Sequence, residues 1–210
     1  MNPWLSIPLA DYEAHMASPD VEQARLLADV LETEIRTHAP SSLAILGCAG
    51  GNGLHRIPPG SELRVVAVDI NPDYVSAAER RFAAELPNAE FLVHDLESSA
   101  PHTRPVDLVF AALLFEYLDP EKALSNLCPL LREGGLLTAL LQLPSSAKAA
   151  ITPSPYRSLL ALDGFLHLVP PGRFEALAAE AGLACIGTET LRSPAGKEFE
   201  VLRFRKGSLG

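Results

Sequence analysis

Two sets of residues in this chain have the types and spacing to do chemistry. One is the run Leu46-Gly47-Cys48-Ala49-Gly50-Gly51-Asn52-Gly53, which follows a short apolar stretch. Small residues let main chain approach a ligand closely, and glycine accepts positive φ at no steric cost. The other is a pair of single acids, Asp69 and Asp95, each placed after an apolar run of its own. A carboxylate at Asp69 can accept hydrogen bonds from both hydroxyls of a ribose. One at Asp95, in Val93-His94-Asp95-Leu96, is placed to accept from an adenine amino group. Ile70 offers an apolar side chain to an adenine face, and the main chain at Phe110-Ala111-Ala112-Leu113 would border the reacting end of a ligand. Each has a plainer reading alone: a tight turn, a helix cap before Asn71-Pro72, a solvated loop acid.

The elements that must bring these residues together are βαβ units. Apolar runs predict strands over 43–46, 63–68, 90–93, 106–111 and 136–141, with helical periodicity between them. A helix opens at Ser18-Pro19-Asp20, carries Val21, Leu27, Ala28 and Leu31 on one face, and ends before Pro40. Another starts near Asn52 and aims its unpaired N–H groups at the glycine run. Asn71-Pro72 and Asp119-Pro120 cap two more; the second turns Leu124, Leu127 and Leu131 inward and stops at Gly134-Gly135. Segment 143–171, rich in Pro and Ser, reads as an insertion over one edge of the sheet. A helix over 172–181 follows, then strands over 184–191 and 198–204 flank the turn Ser193-Pro194-Ala195-Gly196 as a hairpin. In such open sheets the site lies beyond the carboxyl ends of the strands, at the switch in strand order.

From about Ser42 to Arg205 the chain resembles the class I S-adenosylmethionine-dependent methyltransferases. The resemblance is carried by the glycine run, Asp69, Asp95, Val106-Asp107-Leu108-Val109, Leu131-Arg132-Glu133-Gly134-Gly135-Leu136 and the terminal hairpin. It implies a three-layer Rossmann-like sandwich with a seven-stranded, mostly parallel sheet and a reversed last strand. It implies S-adenosylmethionine as cofactor, bound by Gly47, Cys48, Ala49, Gly51, Asn52, Asp69, Ile70, Asp95, Leu96 and Ala111, with Tyr12 closing over it or touching the acceptor. Two positions depart from the family pattern. An acid usually stands two before the first glycine, where it orients the cofactor's amino end, and a glycine two after it. Here those positions hold Ile45 and Ala49.

A nicotinamide enzyme fits less well, because its Gly-x-Gly-x-x-Gly fingerprint fails in both registers: Ala49 and Asn52 after Gly47, Arg56 after Gly51. A binding or accessory protein with the same fold but no turnover is the other alternative. The length of 210 residues suggests one domain, with residues 1–40 as a helical cap.

The net charge of −9 and the lack of a basic stripe disfavour nucleic acid and favour a small-molecule acceptor. Arg203, Arg205 and Lys206 read as a soluble tail. Three scattered cysteines suit a reducing, cytoplasmic setting, the first residues do not read as a signal peptide, and the apolar stretches are too short to span a bilayer. The acceptor pocket should form from Trp4, Tyr12, His15 and Met16, from Phe115-Glu116-Tyr117, and from Tyr156 and His167, with Gln142 beside them. Glu116 and His167 are the candidates for handling a proton. Their plainer readings are a solvated loop acid beside Asp119 and a packed histidine.

Overall fold

Side chains point alternately to the two faces of the sheet, and along the central strands both faces are buried. In the computed structural model, which describes residues 2–145 and 149–207, strands β1 (Ser42–Leu46), β2 (Arg64–Asp69), β3 (Ala89–Val93), β4 (Val106–Ala112) and β5 (Leu131–Gln142) pair in parallel. A hairpin of β6 (Leu183–Arg192) and β7 (Glu198–Lys206) closes the sheet, with β7 antiparallel to β5. The order is β3-β2-β1-β4-β5-β7-β6, the mixed sheet with a reversed last strand that the sequence predicts. Leu43, Ile45, Val65, Ala67, Leu108 and Phe110 face helix α2 (Gln23–His38) through Leu27, Val30 and Leu31. The alternate residues Ala44, Leu46, Val66, Val68, Val109 and Ala111 share a second core with Leu124 and Leu127 of α4 (Pro120–Leu127) and Phe174 and Ala178 of α5 (Pro171–Glu180).

Helix starts follow their caps. The Asn71 side chain accepts from the Asp73 N–H at 2.9 Å at the head of α3 (Pro72–Phe82), and that of Asp119 accepts from Glu121 at 3.1 Å at the head of α4.

Four features differ from expectation. Ser18-Pro19-Asp20 does not open a helix; it is the turn between α1 (Leu9–Ala17) and α2, and α1 lacks a side-chain N-cap that would have announced it. No helix follows Asn52: a single 3₁₀ turn, Leu54–Arg56, stops at Ile57 because Pro58-Pro59 cannot continue it. Helix α4 ends at Leu127 before Pro129, so Leu131 opens β5 and the register slips between Val106 and Leu108, with Gly134 at φ +71° on the way. Arg203, Arg205 and Lys206 are no tail but part of β7.

Arg203 shows what that strand holds. Its Nε donates to Glu34 of α2 at 2.8 Å, and Thr138 Oγ1 of β5 donates to the other oxygen of Glu34 at 2.8 Å. Glu34 is buried, with Arg203, Thr138 and His38, at 3.4 Å, as its polar partners. Arg203→Ala should therefore lower stability by about 3 kcal/mol, since it strands a buried carboxylate. A urea melt reads this; a loss below about 1 kcal/mol would mean Glu34 had relaxed to solvent.

Candidate functional site

The cleft lies along the carboxyl ends of the parallel strands. In sheet order its wall presents Asp95 after β3, Asp69 at the end of β2, Gly47 after β1, Leu113 after β4, Gln142 at the end of β5 and Lys197 before β7. The strand-order switch falls between β1 and β4, in the middle of this row.

The glycine run forms one half. Gly47 and Cys48 both donate to the Val68 carbonyl, at 2.9 and 3.0 Å, so the turn wraps the end of β2. Asp69 Oδ2 accepts from the Ala49 N–H at 2.8 Å, and Oδ1 from the Asn71 N–H at 2.9 Å. Burial raises the Asp69 pKa against the pull of these N–H groups. A carboxylate has about four acceptor positions, so Asp69 keeps spare capacity for a ribose hydroxyl beyond the Ala49, Asn71 and Ile70 N–H groups. Ala49 stands at φ +45°, where the family's glycine would be unstrained. Gly51 stands at φ +106° with the Phe82 ring against it; a Cβ there would collide. Asp95 is half-buried, its Oδ1 accepting from the Glu97 N–H at 2.9 Å, and Ile70 and Leu96 line the cleft beside the two acids.

The N-terminal segment is tied over this half. Tyr12 OH accepts from Asn52 Nδ2 at 2.7 Å, and Asn71 Nδ2 donates to the Trp4 carbonyl at 2.8 Å. Tyr74 OH donates to the Ile7 carbonyl at 2.9 Å. Arg81 pairs with Glu13 and donates to the Gly50 carbonyl at 2.9 Å. Trp4 stands edge-on to Tyr12 and Tyr117, with ring centres 5.7 and 4.9 Å apart. Segment 149–171 meets this roof: Ser158 Oγ donates to Asp11 at 2.6 Å, and Leu159 and Leu162 pack with Ile7. Residues 146–148 of the expected insertion lie outside the described residues.

Glu116 is the chemical centre of the other half. It is 1% exposed, not a solvated loop acid. Oε1 accepts from the Gln142 N–H at 2.7 Å, while Oε2 is buried with no hydrogen-bond partner among the described residues. Burial pushes its pKa up to about 7. Lys197, also buried, donates to Gln142 Oε1 at 3.3 Å and to the Ala150 carbonyl at 2.6 Å. His15 lines the same space, its pKa lowered by burial and then by the charge of Lys197.

The expected residues divide. Gly47, Ala49, Asn52, Asp69, Ile70, Asp95, Leu96, Tyr12 and Glu116 share the cleft. Cys48 and Ala111 are core residues behind its wall, and Gly51 is covered by Phe82. Ala112, Leu113 and Leu114 take the place expected of Ala111, with Leu113 held at φ +53° by its N–H bond to the Leu140 carbonyl at 3.0 Å. The His167 side chain is exposed and does not line the cleft; only its N–H reaches inward, to the Glu116 carbonyl at 2.8 Å. Lys197 had no local signal, because a lysine beside a turn is ordinarily solvated.

Residues 44–135 match a family model described as a methyltransferase domain. No curated protein sequence matches the chain. Among solved structures, the chain is similar to the N-methyltransferase NodS from Bradyrhizobium japonicum WM9 in complex with S-adenosylhomocysteine, at 17% identity over 99% of this chain and 100% of that one, TM-score 0.69. It is similar to magnesium protoporphyrin IX methyltransferase (ChlM) from Synechocystis PCC 6803 with bound S-adenosylhomocysteine, at 11% identity over 94% of each chain, TM-score 0.71. It is also similar to the cyclase SpnF, at 14% identity over 88% of this chain and 81% of that one, TM-score 0.69. At these identities the likeness is one of fold. Residues 44–135 match the methyltransferase-domain model, and the chain has the fold of the class I S-adenosylmethionine-dependent methyltransferases. S-adenosylmethionine is the cofactor of that class.

The residues present fit such a cofactor: a strand-end carboxylate with spare acceptor capacity, a loop whose main chain lines the cleft, and a second acid one strand further out. Asp69→Asn should weaken S-adenosylhomocysteine binding by about 1–3 kcal/mol in calorimetric titration. Ala49→Gly should stabilise the fold by about 1 kcal/mol, as the left-handed residue loses its Cβ penalty. A thermal melt with no gain would mean that the loop carries no strain at Ala49.

Proposed function

We propose that the chain transfers a methyl group from S-adenosylmethionine to a small-molecule acceptor, with Glu116 receiving the acceptor's proton. The observation that carries this reading is the buried, unpartnered Oε2 of Glu116 in the same cleft as the Asp69 loop. When bound, S-adenosylmethionine supplies an electrophilic methyl group on a sulfonium.

The chain's residues have the remaining tasks. Asp69, Asp95, Ile70 and the glycine run hold the adenosine end. Trp4, Tyr12 and Tyr117 roof the cleft and keep water out, which strengthens every charge inside it. A pKa of about 7 lets Glu116 accept a proton near neutrality. The net charge of −9 supports a small molecule over a nucleic acid as acceptor. No helix among the described residues is long and apolar enough to cross a membrane. The unbridged cysteines support a cytoplasmic setting.

Glu116→Gln keeps an acceptor for the Gln142 N–H but removes the base. It should bind S-adenosylhomocysteine as the parent does and lose turnover. In the parent, the carboxylate form is the active one, so methyl transfer should fall as pH drops through about 7. In the variant this limb of the profile should vanish. An unchanged profile in Glu116→Gln would remove Glu116 from the reaction.

A further inference from the structure

Glu116 and Lys197 come from distant parts of the chain, yet Gln142 touches both. Its main-chain N–H donates to Glu116 and its side-chain oxygen accepts from Lys197. The register enforces this. Gln142 pairs with Phe199 across β5 and β7, and Leu143 donates to the Glu198 carbonyl at 2.9 Å, so the residue entering β7 stands over the end of β5. Two opposite charges are thus buried in one cleft, one glutamine apart, and Glu116 Oε2 takes no hydrogen bond from Lys197. A ligand presenting an ammonium toward Glu116 and a carboxylate toward Lys197 would match the two groups in charge.

We propose that the acceptor is a small amino acid, or an amino-acid-like zwitterion, with an apolar side chain, its amine at Glu116 and its carboxylate at Lys197. The assignment rests on the reading of this cleft as the methyl-transfer site. An amine suits Glu116 because its ammonium form pairs with the carboxylate on binding, and passing one proton to Oε2 leaves a neutral amine whose lone pair can take the methyl group. The rings of Trp4 and Tyr117 add a surface favourable to a cation. Ile151, Leu159 and Leu162 supply an apolar wall for the side chain. Gln142 holds the two poles apart, so an acceptor can bridge them.

Trp4 is the sole tryptophan of the chain and lines the cleft, so its fluorescence reports binding without turnover. With S-adenosylhomocysteine at saturation, leucine and phenylalanine are titrated against isoamylamine and phenethylamine, which lack the carboxylate. The amino acids should bind about tenfold tighter, the worth of one charged hydrogen bond. Lys197→Met should abolish that preference, Lys197→Arg should keep it, and Glu116→Gln should weaken amino acids and amines alike. Equal binding of amine and amino acid, silence of Trp4 toward both amino acids, or a preference that survives Lys197→Met overturns the proposal. The cofactor's own amino-acid end is the other source of this chemistry. A Lys197→Met variant that loses S-adenosylhomocysteine but keeps 5′-methylthioadenosine assigns Lys197 to the cofactor and also overturns it. Failure of the parent chain to bind S-adenosylhomocysteine at all is a different result, against the methyl-transfer reading itself.

Discussion

The carboxylate of Asp69, bonded to the N–H of Ala49, is the constraint on which the cleft depends. Parallel pairing sets Leu46 level with Val68, so the chain leaving β1 must turn around the end of β2. Three successive N–H groups, at Gly47, Cys48 and Ala49, then point at β2, two to the Val68 carbonyl and one to Asp69. To make the third bond Ala49 adopts a left-handed conformation, and a charge-assisted hydrogen bond offsets that cost. The position of Asn52 follows from this turn, and Tyr12, with the helix that carries it, is bonded to Asn52.

The cleft has two halves with different origins. The half beside Asp69 and Asp95 is built by strand ends and loops within 44–135, the part of the chain that matches the methyltransferase-domain family. Glu116 also falls in that range, but its surroundings do not. Trp4 and Tyr12 come from the N-terminal segment, Ile151 and Leu159 from the segment after β5, and Lys197 from the closing hairpin. On the proposed function, choice of acceptor would reside in segments that the shared domain does not prescribe. That division agrees with a fold shared by the methyltransferases NodS and ChlM and by the cyclase SpnF.

What the sequence made legible was what local chemistry decides. Apolar runs mark the strands, Asn71-Pro72 and Asp119-Pro120 mark two helix starts, and the place of Asp69 in the cleft is readable because it ends a strand beside the glycine run. The errors fell where a nearby proline or distant packing overruled local pattern. Pro58-Pro59 reduced an expected helix to one turn, and Pro129 ended another early, which moved Leu131 into β5. The burial of Glu116 was hidden because its cover comes from residues far along the chain, among them Gln142, whose N–H it accepts. Arg203 looked like a tail only because nothing nearby in sequence shows that Glu34 waits across the sheet.

Ile45 replaces the acid that the family pattern places two residues before Gly47. Its side chain is buried in the core between the sheet and α2, beside Leu27 and Leu31, and it also lines the cleft. A carboxylate there would need a partner or would be pushed toward its neutral form. With Ile45 in that place, the cofactor half gains no further charge near the switch point. The buried charges next to it, Glu116 and Lys197, lie instead at the ends of β4 and β5 and at the entry to β7. A ligand entering between them meets a negative pole, a glutamine and a positive pole in that order, inside walls that are otherwise largely apolar. Such a site orients a charged molecule by its own dipole, so in the proposed reaction the same two residues that bind the acceptor would also aim it.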